Sequence, residues 1–204
     1  MYTLGQGNKQ MARPQEFDKT KVLQNAMYVF WSKGYAAASL TDILTATGLS
    51  KSSLYATFGD KRELFLAAFD AYRKGRMRYL QQILNNGQPA RLSIETFFRQ
   101  GVAHSQDEIR VQGCMTANEA VELAPHDAEI QRLVAEDFQA IEDAFAQAIA
   151  RGQADGSISS RQEPRILAHF LLVNLQGLQV MARAQSDRAR LDEAVSVILA
   201  VLEG

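Results

Sequence analysis

Between Ser39 and Leu64 the chain reads SLTDILTATGLSKSSLYATFGDKREL: two short helices joined by a glycine, then the start of another helix. Ser39 stands three residues before Asp42, close to a capping box, and Ser50 opens the next segment. Gly48 lies between them, where a tight turn needs a positive φ. The segment after Ser50, KSSLYATF, contains no acid and only one cation, Lys51. A solvated surface helix carries Glu and Lys at such positions. Small hydroxyl side chains and one tyrosine suit instead a helix that enters the major groove of double-stranded DNA, where phosphate repels acids.

Upstream, Val22, Leu23, Ala26, Met27, Val29 and Phe30 recur at helical spacing, with Asp18 as candidate N-cap and Gly34 as the stop. Three helices in roughly 45 residues, with a glycine turn between the last two, make a helix-turn-helix. Ile43, Leu49, Leu54 and Phe58 face inward and hold the angle between helices. Lys51, Ser52, Ser53, Tyr55, Ala56 and Thr57 are left for the groove. Lys51 and Lys61 are expected to neutralise phosphates. Thr41 offers a hydroxyl and helix-terminal amides, and Tyr55 its phenol, to others. Ser52, Ser53 and Thr57 are expected at base edges, with Ala56 or the Thr57 methyl against a thymine methyl.

The net charge of −1 hides an asymmetry. Residues 1–62 hold eight Lys or Arg against four Asp or Glu, so the remainder is acidic. A basic head on an acidic body is the footprint of a modest DNA binder. Residues 1–12 are expected to be a disordered tail, residues 13–62 the DNA-binding domain and residues 63–204 an effector-binding and dimerisation domain.

Ala26, Phe30, Gly34-Tyr35, Ser39, Ile43, Gly48-Leu49-Ser50-Lys51, Ser53-Leu54-Tyr55, Phe58, Lys61 and Leu64-Phe65 form a pattern that resembles the TetR (tetracycline-repressor) family of bacterial transcription regulators. The resemblance covers roughly residues 13–69 and rests on spacing as well as residue type. It implies DNA contacts at Thr41, Lys51, Ser52, Ser53, Tyr55, Ala56, Thr57 and Lys61, the positions already read from the residues. Ser52, Ala56, Thr57 and Arg62 depart from the usual pattern, which puts the operator sequence out of reach.

The rest of the chain also reads as helices, over residues 61–85, 91–106, 114–124, 127–151, 163–184 and 190–203. Breaks fall at 85–89, Gly113, Pro125, 152–160 and 186–187. No stretch shows the period of a strand, so the expected fold is all-α with about nine helices. Residues 166–182 are apolar nearly all round, as in a helix buried on more than one side. A two-fold partner is expected against Leu171, Leu175, Leu178 and Met181, together with Val195, Ile198, Leu199 and Leu202 of the last helix. Such a homodimer would read a palindromic operator with half-sites about 34–36 Å apart.

Apolar walls with a few polar anchors make a small-molecule pocket. Its candidate lining is Phe97, Phe98, His104, Cys114, Met115, Asn118, Glu122, Phe138, His169, Phe170 and Asn174. The segment QGCMTANEAVELAPHDAEI resembles a subset of the same family with Gly-Cys at the start of this helix, which raises a second reading of Cys114 as a redox or electrophile sensor. Simple packing is the favoured role of Cys114.

The expected function is a ligand-responsive transcriptional regulator, a repressor released from its operator by an unknown small molecule; an activator and a thiol sensor are the alternatives. No Gly-rich nucleotide loop, nucleophile–base pair or metal-binding helix motif is present, so neither an enzyme nor a metal or other cofactor is expected. With one cysteine, a polar N-terminus and no apolar run near roughly 18 residues, the expected location is the cytoplasm and no membrane partner is expected.

Overall fold

The computed structural model describes residues 17–103, 112–184 and 187–204. The expected tail, residues 1–12, and His104 lie outside the described residues. The described residues form nine α-helices and no strand: α1 Lys19–Lys33, α2 Leu40–Thr47, α3 Lys51–Phe58, α4 Lys61–Leu84, α5 Ala90–Ala103, α6 Met115–Glu122, α7 Ala128–Asp155, α8 Pro164–Arg183 and α9 Arg188–Leu199. A short 3₁₀ turn, Ala200–Leu202, follows α9. The all-α expectation holds.

Local chemistry sets most of the helix starts. Asp18, Ser39, Ser50, Asp60, Asp127 and Asp187 each accept a backbone N–H of the first turn that would otherwise lack a partner. Asp187 starts α9 two residues before the expected position. Helix α7 runs past the expected break at Gly152 and stops at Gly156. The Gly152 position is a close approach rather than a turn: a Cβ there would lie 2.7 Å from Ile158 and 3.1 Å from Ala90.

Two cores result. The body core joins α4, α5, α7, α8 and α9 through residues such as Leu80, Ile94, Phe98, Phe145, Leu171 and Val195. The second unites Ala26, Phe30, Ile43 and Leu54 of the head and Leu64 and Phe65 of α4 with Met115 of α6 and Ile130 and Val134 of α7. The head is therefore seated on the body through shared apolar packing, and α4 runs from one core to the other.

Helix α8 has the length and mean hydropathy, 1.2 over 18 residues, that a membrane span would also show. The full helical register supplies what a search for unbroken apolar runs misses. Its apolar character divides between an inner face, with Leu167, Leu171 and Leu175 in the body core, and an outer row described below.

Candidate DNA-reading head and effector cavity

Helices α2 and α3 meet at Gly48, whose φ of 70° and ψ of 10° are left-handed. Their starts are fixed twice over. Ser39 and Asp42 form a reciprocal capping box, and Ser50 Oγ accepts Ser53 N–H at 3.1 Å. Ile43 and Leu54 are fully buried and lock the two helices together. Asn25 Nδ2 donates to the carbonyl of Ala46 at 2.8 Å, which ties α1 to α2.

Lys51, Ser52, Tyr55 and Ala56 form the exposed face of α3, while Ser53 and Thr57 are half-buried and Thr41 is exposed at the start of α2. The Lys51 ammonium lies 5.8 Å from the Tyr55 ring centre, so cation and phenol share one edge. Thr57 Oγ1 donates to the Ser53 carbonyl at 2.8 Å, which uses its hydroxyl hydrogen within α3. Lys61 Nζ donates to the Tyr35 carbonyl at 2.7 Å and sits 4.5 Å from that ring's centre. One of its three donor hydrogens is thus used within the head, and two remain for a phosphate.

Head and body are also joined by charge. The Glu122 carboxylate accepts the backbone N–H of Ala36 at 2.8 Å and of Tyr35 at 3.3 Å. Arg62 pairs with Asp127 and, at 2.7 Å, with Glu129 at the start of α7. The Arg62 hydrogen bond holds the Asp127 carboxyl below its ordinary pKa. Arg62, an unusual residue in the family pattern, is here a strut.

A cavity of about 510 Å³ opens between head and body. Leu23, Met27 and Trp31 of α1 form one wall and Tyr72, Arg76 and Tyr79 of α4 another. Phe97, Phe98 and Val102 of α5 with Leu175, Leu178 and Gln179 of α8 complete it. The size is within the range of small-molecule sites, about 300–1,000 Å³. Behind it lies a buried polar cluster. Arg76 Nη1 donates to Cys114 Sγ at 2.8 Å and reaches Asp137 at 3.5 Å. Asp137 also accepts Thr116 Oγ1 at 2.7 Å. Tyr72 OH accepts the Met115 N–H at 3.1 Å and lies 3.7 Å from Cys114 Sγ. Burial, then the neighbouring Cys114, raises the Tyr72 phenol well above its ordinary pKa.

Of the residues expected to line the pocket, Phe97 and Phe98 do so. Cys114 caps α6 one layer behind the wall, accepting Ala117 N–H at 3.4 Å, and is buried. Met115 belongs to the head core. Asn118 Nδ2 donates to the Gln112 carbonyl, and Glu122 serves the head–body junction. Phe138 packs against both cores. His169 is exposed and lies 3.1 Å from Glu142, Phe170 faces outward, and Asn174 Nδ2 bonds back to the Phe170 carbonyl. These eight do not line the cavity; periodicity identifies a buried face but not which void it borders. The walls that were missed come from α1 and α4 and from Leu175, Leu178 and Gln179 of α8. A signal for the first two was present: the row Leu64, Ala68, Tyr72 continues at the same spacing to a cation, Arg76, and Trp31 is the single tryptophan of the chain.

The expected partner face needs a parallel correction. Leu171, Leu175, Leu178, Val195, Ile198, Leu199 and Leu202 are buried in the chain's own core, and Leu175 and Leu178 also border the cavity. Of the eight, Met181 alone is exposed, at 43%. A helix apolar on two sides presents two candidate faces, and the more regular one belongs to the core. The outward row is Ile166, Phe170, Val173, Val180 and Met181, with Val197 on α9.

The chain matches known proteins over nearly its full length. Residues 22–68 match the sequence model described as bacterial regulatory proteins, tetR family, and residues 90–198 match the tetracyclin repressor-like C-terminal domain. The uncharacterized HTH-type transcriptional regulator YezE of Bacillus subtilis (strain 168) is 34% identical over 194 residues, covering 95% of this chain and 100% of that protein. The HTH-type transcriptional repressor ComR of Escherichia coli (strain K12) is 28% identical, covering 94% and 91%. The solved structure of the TetR family regulator CifR, a cysteine mutant complexed with 26 bp double-strand operator DNA, superposes with a TM-score of 0.82 at 32% identity, covering 92% of this chain and 98% of that one. By fold, head geometry and sequence alike, the chain belongs to the TetR family of helix-turn-helix transcriptional regulators.

Proposed function

We propose that the chain is a homodimeric repressor that binds a palindromic operator and is released by a small molecule. The observation that carries this reading is the cavity, whose walls come from α1 of the head and from α4, α5 and α8 of the body. A ligand there touches the scaffold of the DNA-reading helix and the body at once. A coupling of about 1–3 kcal/mol between the two lowers operator affinity 5–150-fold. Helix α4 carries the change, since Lys61 lies at its head end and Tyr72, Arg76 and Tyr79 lie along the cavity.

The outward row on α8 supports the dimer. Val173 is 71% exposed and Val197 is 73% exposed. Gly177 lies in the same row, and beyond its own stretch of helix nothing stands within 4 Å of where a Cβ would lie, so a partner helix can approach closely there. The operator-bound state of CifR and the repressor description of ComR support the DNA partner and the sign of regulation. Selection of bound DNA from a random pool tests the reading. An inverted repeat with half-sites about 34–36 Å apart is expected; recovery of single, unpaired half-sites, or of no enriched sequence, overturns it.

A further inference from the structure

The peptide unit between Tyr35 and Ala36 is gripped at both ends. Its N–H, on Ala36, donates to Glu122 Oε1 at 2.8 Å. Its carbonyl, on Tyr35, accepts from Lys61 Nζ at 2.7 Å. The N–H and C=O of a trans peptide point in opposite directions. The carboxylate and the ammonium therefore stand on opposite sides of one backbone dipole, the anion at its positive end and the cation at its negative end. Each bond polarises the other, and each involves a charged group, which makes both stronger than bonds between neutral groups.

The two side chains come from different parts of the molecule. Glu122 ends α6 of the body, and Lys61 opens α4 at the head. Glu122 Oε2 also accepts the Tyr35 N–H at 3.3 Å, so the carboxylate holds two successive amides. Gly34 leaves the space for it, since a Cβ there would lie 2.5 Å from Glu122 Oε2. On the other side, Lys61 Nζ lies 4.5 Å from the centre of the Tyr35 ring. That ring packs against Phe30 and Phe65, with centres 6.1 and 4.9 Å away. The direction of Lys61 is thus fixed by the backbone and ring of Tyr35, and the backbone of Tyr35 is fixed by Glu122.

We propose that Glu122 is a positioning residue for DNA binding: through the Tyr35–Ala36 peptide it aims the Lys61 ammonium at a phosphate, without touching DNA itself. A lysine side chain is flexible, and one held in advance loses less freedom when it meets its partner. The two ammonium hydrogens not used on Tyr35 are then presented in a set direction. A carboxylate of the body in this way tunes a cation of the head across a single peptide. This inference rests on the reading of Lys61 as a phosphate contact and adds the residue that orients it.

The full-length protein is titrated at low salt with a mixed-sequence duplex of about 30 base pairs, since phosphate contacts carry no sequence information. Glu122→Gln removes the charge and keeps the shape. By charge alone, deleting an anion tightens the binding of DNA. The expected result is instead binding about three- to tenfold weaker, the scale of coupling between residues in one hydrogen-bond network. In a Lys61→Ala background Glu122→Gln is expected to add no further loss, whereas in a Lys51→Ala background it keeps its full effect. Gly34→Ala displaces the same carboxylate without changing any charge and is expected to repeat the pattern; it decides where Glu122→Gln fails to fold by circular dichroism. Tighter or unchanged binding overturns the proposal. So does an equal further loss in both lysine backgrounds, which is what mere loosening of the head produces. Should Lys61→Ala by itself leave affinity unaltered, the phosphate contact falls and the proposal with it, an outcome distinct from a loss in Lys61→Ala that does not depend on Glu122.

Discussion

The carboxylate of Glu122, at the end of α6, accepts the backbone N–H of Ala36 in the head at 2.8 Å. It spans 86 residues of sequence and fixes the loop between α1 and α2 against the body. Two residues earlier, Gly34 has a φ of 81°, and a Cβ there would lie 2.5 Å from Glu122 Oε2. Glu122→Ala is expected to destabilise the protein by about 1.5–3 kcal/mol, the range for hydrogen bonds to a charged group. Gly34→Ala adds backbone strain to the same loss. A lower urea midpoint at unchanged slope in both variants is the expected result; unchanged midpoints would mean that the junction is held by apolar packing alone.

A pH effect follows from Glu119. It is buried, one of its oxygens lacks a hydrogen bond among the described residues, and burial, then the charge of Glu122, raises its pKa from 4.5 to about 8, partly offset by Arg183. Between those values the folded protein keeps a proton that the unfolded chain releases, so stability falls as pH rises from about 5 to 8. Glu119→Gln is expected to flatten the stability profile in that window and to raise stability at pH 8. Parallel profiles for the two proteins, measured by urea unfolding, would remove Glu119 as the cause.

On the head, Tyr55→Ala is expected to weaken binding to every DNA sequence, since a phenol on a phosphate carries no base information. Lys51→Ala or Lys61→Ala is expected to lower the slope of log K against log salt by about 0.9, the release of one counterion. For Lys61 the effect includes loss of its bond to the Tyr35 carbonyl. Its conservative variant Lys61→Arg separates the two contributions, because it keeps the charge while changing the fit to Tyr35. An unaltered slope in Lys51→Ala would take that residue away from the phosphates.

Val173→Asp places a charge at the centre of the outward row on α8 without entering the core. Sedimentation is expected to show monomers, with an unchanged helical content. Operator affinity should fall with it, because one head makes half the contacts. A persistent dimer would move the partner interface to another face.

Cys114 gives a labelling test. Its sulfur is buried, caps α6 and receives Arg76. Iodoacetamide is expected to modify it slowly in the native protein and rapidly after unfolding. Fast native labelling would favour the thiol-sensor alternative over a packing role.

The head was legible in the sequence because its determinants are local. Ser39, Asp42, Gly48 and Ser50 each act on a group within four residues of themselves, and the structure gives each its expected cap or turn. The body was legible as helices but not as surfaces. Leu171 and Val173 are equally apolar in the sequence, yet one is buried and the other exposed. Which side meets the core depends on α7 and α9, far away in the chain. The cavity was half-visible for the same reason: Phe97 and Phe98 lie on a recognisable apolar face, whereas Trp31 and Arg76 are brought to it only by the way α1 leans on α4.

The wall that α1 lends to the cavity has a thermodynamic corollary. If a ligand there weakens the grip on DNA, then DNA must weaken the grip on the ligand by the same factor. A dimer already seated on its operator is the poorer receptor, and a free dimer the better one. Adding operator DNA to a ligand titration should raise the apparent Kd of the ligand by the factor through which the ligand raises that of DNA. The DNA is, in this sense, an effector of the cavity.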